Sequence, residues 1–205
     1  MVTDLTELFA GGFATLSDAA NQGALADLYA AEGGTRLAVA DVTLTAPLPS
    51  PGKIICVGVN FPDRNAEYKD GQSAPANPSL FIRFPGSFVG HGDDLRRPPE
   101  SEQLDYEGEI AIVIGTGGRR IPASRAWEHI AAVTLCNEGT IRDWVRHAKF
   151  NVTQGKNFEK SAAMGPGLLA FTGAAMLADI ELTTRVNGAV RQQDRPSRML
   201  LSFTH

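Results

Sequence analysis

Two cysteines and four histidines are all that this 205-residue chain offers of the softer metal ligands. Cys56 in "KIICVGV" and Cys136 in "AAVTLCNE" lie far apart in apolar settings, so both are expected to be buried free thiols. His91, His129, His147 and His205 make no H-x-x-x-H spacing, which argues against a zinc centre. No apolar run approaches the roughly 20 residues of a membrane span, and the start "MVTDLTELFAGG" lacks the basic opening and apolar centre of a secretory signal, which predicts a cytoplasmic protein with no membrane partner. Basic charge is scarce too. A net charge of −4 with scattered arginines supplies no field for nucleic acid. What remains is an ordinary globular composition, 43% hydrophobic and 20% charged, enough for one large domain or one domain with a small appendage.

The first 33 residues carry helical spacing, with Leu25, Leu28 and Tyr29 on one face and Gly33-Gly34 as a stop. Residues 1–50 read as a small N-terminal segment and 51–205 as the main domain. "RLAVADVTLTAPL" alternates like a strand, and "KIICVGV", "SLFIRF" and "EIAIVIG" read as further strands, the last an interior one. Between Phe61 and Pro78 the chain is polar and rich in Pro, Asn and Gly, the composition of a mobile lid. "SRAWEHIAAVTLCNEG" begins with helical spacing and should become a strand near Val133–Leu135, and "NG" between "ELTTRV" and "AVRQQ" predicts a hairpin. Many short strands with few helices make an α+β, β-rich fold, not an alternating parallel one. "GTGGRR" lacks dinucleotide-loop spacing and leads to Pro122, so a turn accounts for it better.

"LDYEGEIAIVIG" places Glu107 and Glu109 on one side of a strand at the mouth of an apolar run, and Glu138 in "LCNEGTIRDW" repeats that setting. Like charges so placed need a cation, a proton, or an arginine or lysine. Three hard oxygen ligands without histidine or cysteine favour Mg²⁺, Mn²⁺ or Ca²⁺, and a site with positions left for water and substrate suits Mg²⁺ or Mn²⁺ best; the competing reading pairs the glutamates with arginines such as Arg83 or Arg142 in a buried network. Lys156 in "TQGKNF" is a candidate for holding a substrate anion or moving a proton, or else an exposed loop cation. Arg142, followed by Asp143, is either a fork for a substrate carboxylate or half of an internal ion pair.

The ordered succession "KIICVGVN", "PSLFIRFPGSFVGHGD", "LDYEGEIAIVIG", "NEGTIRDW", "TQGKNF" and "MGPGLLAF" resembles the fumarylacetoacetate hydrolase family, from about Lys53 onward. The resemblance implies a mixed, roll- or barrel-like sheet with few short helices, here lacking the last family strands at the C-terminus. It assigns Glu107, Glu109 and Glu138 to Mg²⁺ or Mn²⁺, with Glu138 standing where the family usually carries aspartate, and Lys156 to catalysis. It also implies a homodimer acting on a small oxo-acid substrate: 2-oxo acids, diketo acids or their enols, by isomerisation, hydration, C–C hydrolysis or decarboxylation, in catabolism such as that of aromatic compounds. Where hydrolytic relatives carry a histidine and glutamate three residues apart, this chain has Arg64 and Glu67. An arginine cannot be a general base near neutral pH, so isomerisation or hydration gains weight, with Arg64 binding a second carboxylate of a dioate and Glu67 retained as the catalytic acid or base. The alternative is a truncated, catalytically silent homologue with a structural or oligomerisation role.

Overall fold

The computed structural model describes residues 1–9, 12, 15–63, 77–147 and 151–205. Arg64, Glu67 and most of the expected lid therefore lie outside the described residues. The chain opens with a strand, Val2–Asp4 (β1), paired antiparallel with Thr35–Leu37 (β2), and between them lie helices Leu16–Asn21 (α1) and Leu25–Ala30 (α2). Thr15 and Asp18 form a reciprocal capping box that starts α1. Ala19, Ala20 and Leu25 then bury against Ala132 and Leu168. Helical spacing thus describes only part of the first 33 residues. The alternation after Arg36 gives a strand only through Leu37, then a 3₁₀ turn at Val39–Asp41. Val42, Leu44 and Ala46 are half-buried while Thr43 and Thr45 are exposed, so the alternation marks which side faces the body without a ladder. A Cβ on Gly90 would lie 2.0 Å from Leu44 O, which shows how closely this stretch passes the body.

Ile54–Gly58 (β3) and Ser79–Arg83 (β4) form an antiparallel pair. One face, Cys56, Phe81 and Arg83, is turned inward; on the other Ile55, Val57, Leu80 and Ile82 are 46–60% exposed. Short strands Phe88–Val89 (β5) and Leu104–Asp105 (β6) follow, then Gly108–Ile114 (β7), Ile130–Asn137 (β8) and Thr140–Ile141 (β9). A four-residue helix, Thr153–Lys156 (α3), precedes Ala162–Met164 (β10), Leu169–Ala170 (β11), Leu182–Val186 (β12) and Ala189–Asp194 (β13).

β8 is the axis of the main sheet. β7 pairs along one of its edges, β10 and β11 share the other, and β5 joins β10 in parallel, so the sheet is mixed. The remaining strands form separate two-stranded ladders, and no closed barrel forms among the described residues. β7, expected as an interior strand, has β8 as its ladder partner and leaves Ile114 54% exposed, because β12 approaches its outer edge without joining it. β8 begins at Ile130, three residues earlier than its sequence suggests, after a 3₁₀ segment Ala123–His129. β12 and β13 are the expected hairpin, with Asn187 and Gly188 at φ 50° and 80°, the left-handed pair that a tight two-residue turn requires. Among the described residues no helix is long and apolar enough to cross a membrane.

Candidate active site

Antiparallel pairing of β7 with β8 sets Glu109 opposite Cys136 and brings the end of β8 beside the start of β7. There the Glu138 amide donates to Glu107 O at 2.7 Å, and the Glu107 amide donates to Asn137 Oδ1 at 3.1 Å. Glu107 and Glu138, far apart in sequence, are thereby fixed to each other through their backbones. Gly139 allows the next strand to pass, since a Cβ there would lie 1.9 Å from Ser161 O. The result is a group in which carboxylate oxygens of Glu107, Glu109 and Glu138 all lie within 4.8 Å of one another.

Cations ring this group. Lys156, 4% exposed at the end of α3, places Nζ 2.7 Å from Glu107 Oε2 and 3.0 Å from Glu138 Oε1, with the Phe81 ring 5.1 Å away. It is a buried bridge and not a loop cation. Arg142 Nη1 lies 2.7 Å from Glu107 Oε1 while its Nε holds Asp105 Oδ2 at 2.8 Å, and Thr140 Oγ1 donates to Glu107 Oε1 at 2.9 Å. Asp143, the other half of the "RD" pair, instead accepts from Ser101 Oγ at 2.6 Å.

Arg83, 2% exposed, reaches Glu138 Oε1 at 3.3 Å and donates to Gly139 O and Ser161 Oγ, with its guanidinium 5.0 Å from the centre of the Phe88 ring. Burial lowers its proton affinity, and the Glu138 charge opposes that. Arginine pairing and acid clustering, set against each other as readings of the sequence, are both present.

Glu109 differs from its neighbours: no ion pair to it forms among the described residues. Burial, with the charges of Glu138 and Glu107 adding to it, pushes its carboxyl up to about 8, and Lys156 only partly offsets this. The two thiols are half-buried and free; burial, then the Glu138 charge, pushes each up to about 12, so neither is a thiolate near neutral pH.

The donor set fits a hard divalent cation. Oxygens bound about 2.1 Å from one ion lie about 3 Å apart when adjacent and about 4.2 Å when opposite, so drawing a group already within 4.8 Å onto one ion shortens any oxygen–oxygen separation by at most about 1.8 Å, within reach of side-chain rotation. With four carboxylates, Asp105 included, facing Arg83, Arg142 and Lys156, one negative charge is uncompensated when all are ionised.

A family model described as "Fumarylacetoacetate (FAA) hydrolase C-terminal" matches residues 53–205. The chain belongs to the fumarylacetoacetate hydrolase family. It is 37% identical over 174 residues to the oxaloacetate tautomerase YisK of Bacillus subtilis, covering 83% of this chain and 57% of that protein. Among solved structures, a fumarylacetoacetate hydrolase from Exiguobacterium antarcticum superposes with a TM-score of 0.79 at 32% identity, covering 98% of this chain and 70% of that one. A 5-carboxymethyl-2-hydroxymuconate delta-isomerase from Mycobacterium smegmatis gives 0.71 at 32% identity, over 84% and 66%. The chain spans about half the length of the curated relatives it matches.

Within this family member, some site residues escaped the sequence reading. Asp105 sits two residues before Glu107, so a D-x-E-x-E alternation was there to be read. Thr140 and Asn137 neighbour Glu138 but carry no charge signal. Gln192, 84 residues from Gly108, hydrogen-bonds to it twice and has no local signal at all.

Proposed function

We propose that this chain is a divalent-metal-dependent enzyme that interconverts tautomers or double-bond isomers of small 2-oxo acids, with Glu107, Glu109 and Glu138 holding Mg²⁺ or Mn²⁺. The observation that carries this reading is the gathering of three carboxylates of which one, Glu109, forms no ion pair among the described residues. The names of its relatives, oxaloacetate tautomerase and 5-carboxymethyl-2-hydroxymuconate delta-isomerase, support isomerisation as the reaction class. Bound here, the ion would supply positive charge to an enolate oxygen as it forms.

The protein's own groups have separable roles in this reading. Lys156 Nζ, held between Glu107 and Glu138, is a fixed ammonium at the edge of the group, placed to attract a substrate carboxylate or to move a proton at that atom. Arg142, oriented by Asp105, holds Glu107. In tautomerisation the enol O–H loses a proton and the adjacent carbon gains one, so no co-reactant is consumed. Glu67 is proposed as the proton carrier and Arg64 as the anchor for a distal carboxylate.

The test is to follow loss of the enol absorbance of oxaloacetate with and without Mg²⁺ or Mn²⁺, beside calorimetric titration of the metal. A metal-dependent acceleration abolished by Glu107→Ala is expected. The absence of both metal binding at millimolar concentration and acceleration would overturn the proposal and favour the catalytically silent homologue.

A further inference from the structure

Gly108 separates Glu107 from Glu109, and a single side chain meets both of its backbone polar groups. Gln192 Oε1 accepts from Gly108 N at 2.8 Å, and Gln192 Nε2 donates to Gly108 O at 2.8 Å. The carboxamide pairs with the edge of β7 as one residue of an added strand would. Its orientation is set from within the hairpin: Thr184, directly across the ladder from Gln192, donates its hydroxyl to Gln192 Oε1 at 3.2 Å. The fit is close, since a Cβ at Gly108 would lie 2.0 Å from Thr184 Oγ1 and 3.2 Å from Gln192 Oε1. Only a carboxamide of this length supplies a donor and an acceptor side by side; a glutamate keeps the acceptor, loses the donor and adds a negative charge beside an acidic site.

We infer that Gln192 is a positioning residue for the Glu107–Glu109 pair, clamping the backbone between them so that both carboxylates address one divalent cation. The inference rests on the metal reading above. Gln192 acts through Gly108, and its side-chain hydrogen bonds go to Gly108 and Thr184. A rotation of the Gly108 peptides that the clamp prevents would turn both carboxylates at once, so its loss should register in metal affinity more than in folding.

The experiment measures Mn²⁺ binding by isothermal calorimetry for the wild-type chain and for Gln192→Met, Gln192→Glu, Thr184→Val and Val186→Ala. Circular dichroism checks that each is folded at the temperature used. Val186→Ala weakens the same hairpin by trimming a half-buried side chain without touching Gly108. Gln192→Met is expected to lower affinity about 10- to 100-fold, the usual range for groups that orient metal ligands. Thr184→Val should lower it less, and Val186→Ala should leave it unchanged. Wild-type affinity in Gln192→Met, or an equal loss in Val186→Ala, would overturn the inference. If Gln192→Met does not fold, Gln192→Glu and Thr184→Val decide it by the same comparison. A wild-type chain that binds no Mn²⁺ refutes the metal reading and this inference with it; wild-type binding with unaffected variants removes only the role of Gln192.

Discussion

Replacing Glu109 with glutamine should stabilise the metal-free protein and weaken its stabilisation by metal. In the folded chain the Glu109 carboxyl is raised from 4.5 to about 8, chiefly by burial. Between those two values the folded state holds a proton that the unfolded state releases, so this group's stabilising contribution is complete below about pH 4.5 and is lost as pH rises through about 8. The full displacement corresponds to a ceiling of roughly 5 kcal/mol, and relaxation of the site around the charge reduces the observable part to ~1–3 kcal/mol. Glutamine keeps the shape and carries no proton to lose. Urea unfolding in a chelator, between about pH 5 and pH 9, should therefore show the variant gaining on wild type as pH rises. With Mg²⁺ or Mn²⁺ at about 100 times the wild-type Kd, wild type should gain about 2.7 kcal/mol and the variant much less, so the variant's advantage is largely erased. Metal-free curves that run parallel across the pH range would refute the reasoning, because they would mean that Glu109 is already ionised without cost.

Other consequences are as direct. Arg83→Met removes one of the cations that Glu138 meets among the described residues and should cost ~3–5 kcal/mol in urea unfolding, with partial recovery in Arg83→Lys. Gly139→Ala drives a Cβ to within 1.9 Å of Ser161 O, a backbone atom, and should lower stability by at least ~2 kcal/mol in thermal melts. Arg64→Ala should raise KM for a dioate far more than for a mono-acid, by ~1.5–3 kcal/mol in kcat/KM, while Arg64→His should increase acylpyruvate hydrolysis or oxaloacetate decarboxylation; equal losses on both substrates would refute the carboxylate role.

The acids could be read because each lies beside an apolar run, and two such runs paired antiparallel bring their ends together. In the sequence Arg83 and Arg142 stand as alternative partners for these acids, but which acid each would meet was not legible. Nothing near Arg83 in "FIRFPGS" indicates that it crosses to Glu138, because that contact joins the end of β4 to the chain just after β8, 55 residues away. Period-two patterning told the truth about burial and not about pairing. "DVTLTA" alternates between half-buried and exposed with no partner strand among the described residues, whereas "AVRQQ" is exposed at Ala189, Val190 and Arg191 and still pairs at every residue but Arg191, where a bulge shifts the register, because the Asn187-Gly188 turn brings the two runs together. The β-rich α+β class was legible from the many short runs. The small paired strand at the N-terminus was not, since Val2–Asp4 is too short to show a period.

The ammonium bridging Glu107 and Glu138 bears on the order of assembly. A cluster of bare carboxylates would have to wait for its ion before the strands around it could close, as happens in small domains that remain unfolded until metal arrives. Here Lys156, Arg83 and Arg142 already neutralise most of the charge from within, and Glu109 can carry a proton until an ion replaces it. On the proposed reading, synthesis and folding are independent of the local metal supply. Loading becomes a later, reversible exchange of a proton for a cation, and a chain stripped of metal is a folded reserve ready to be refilled.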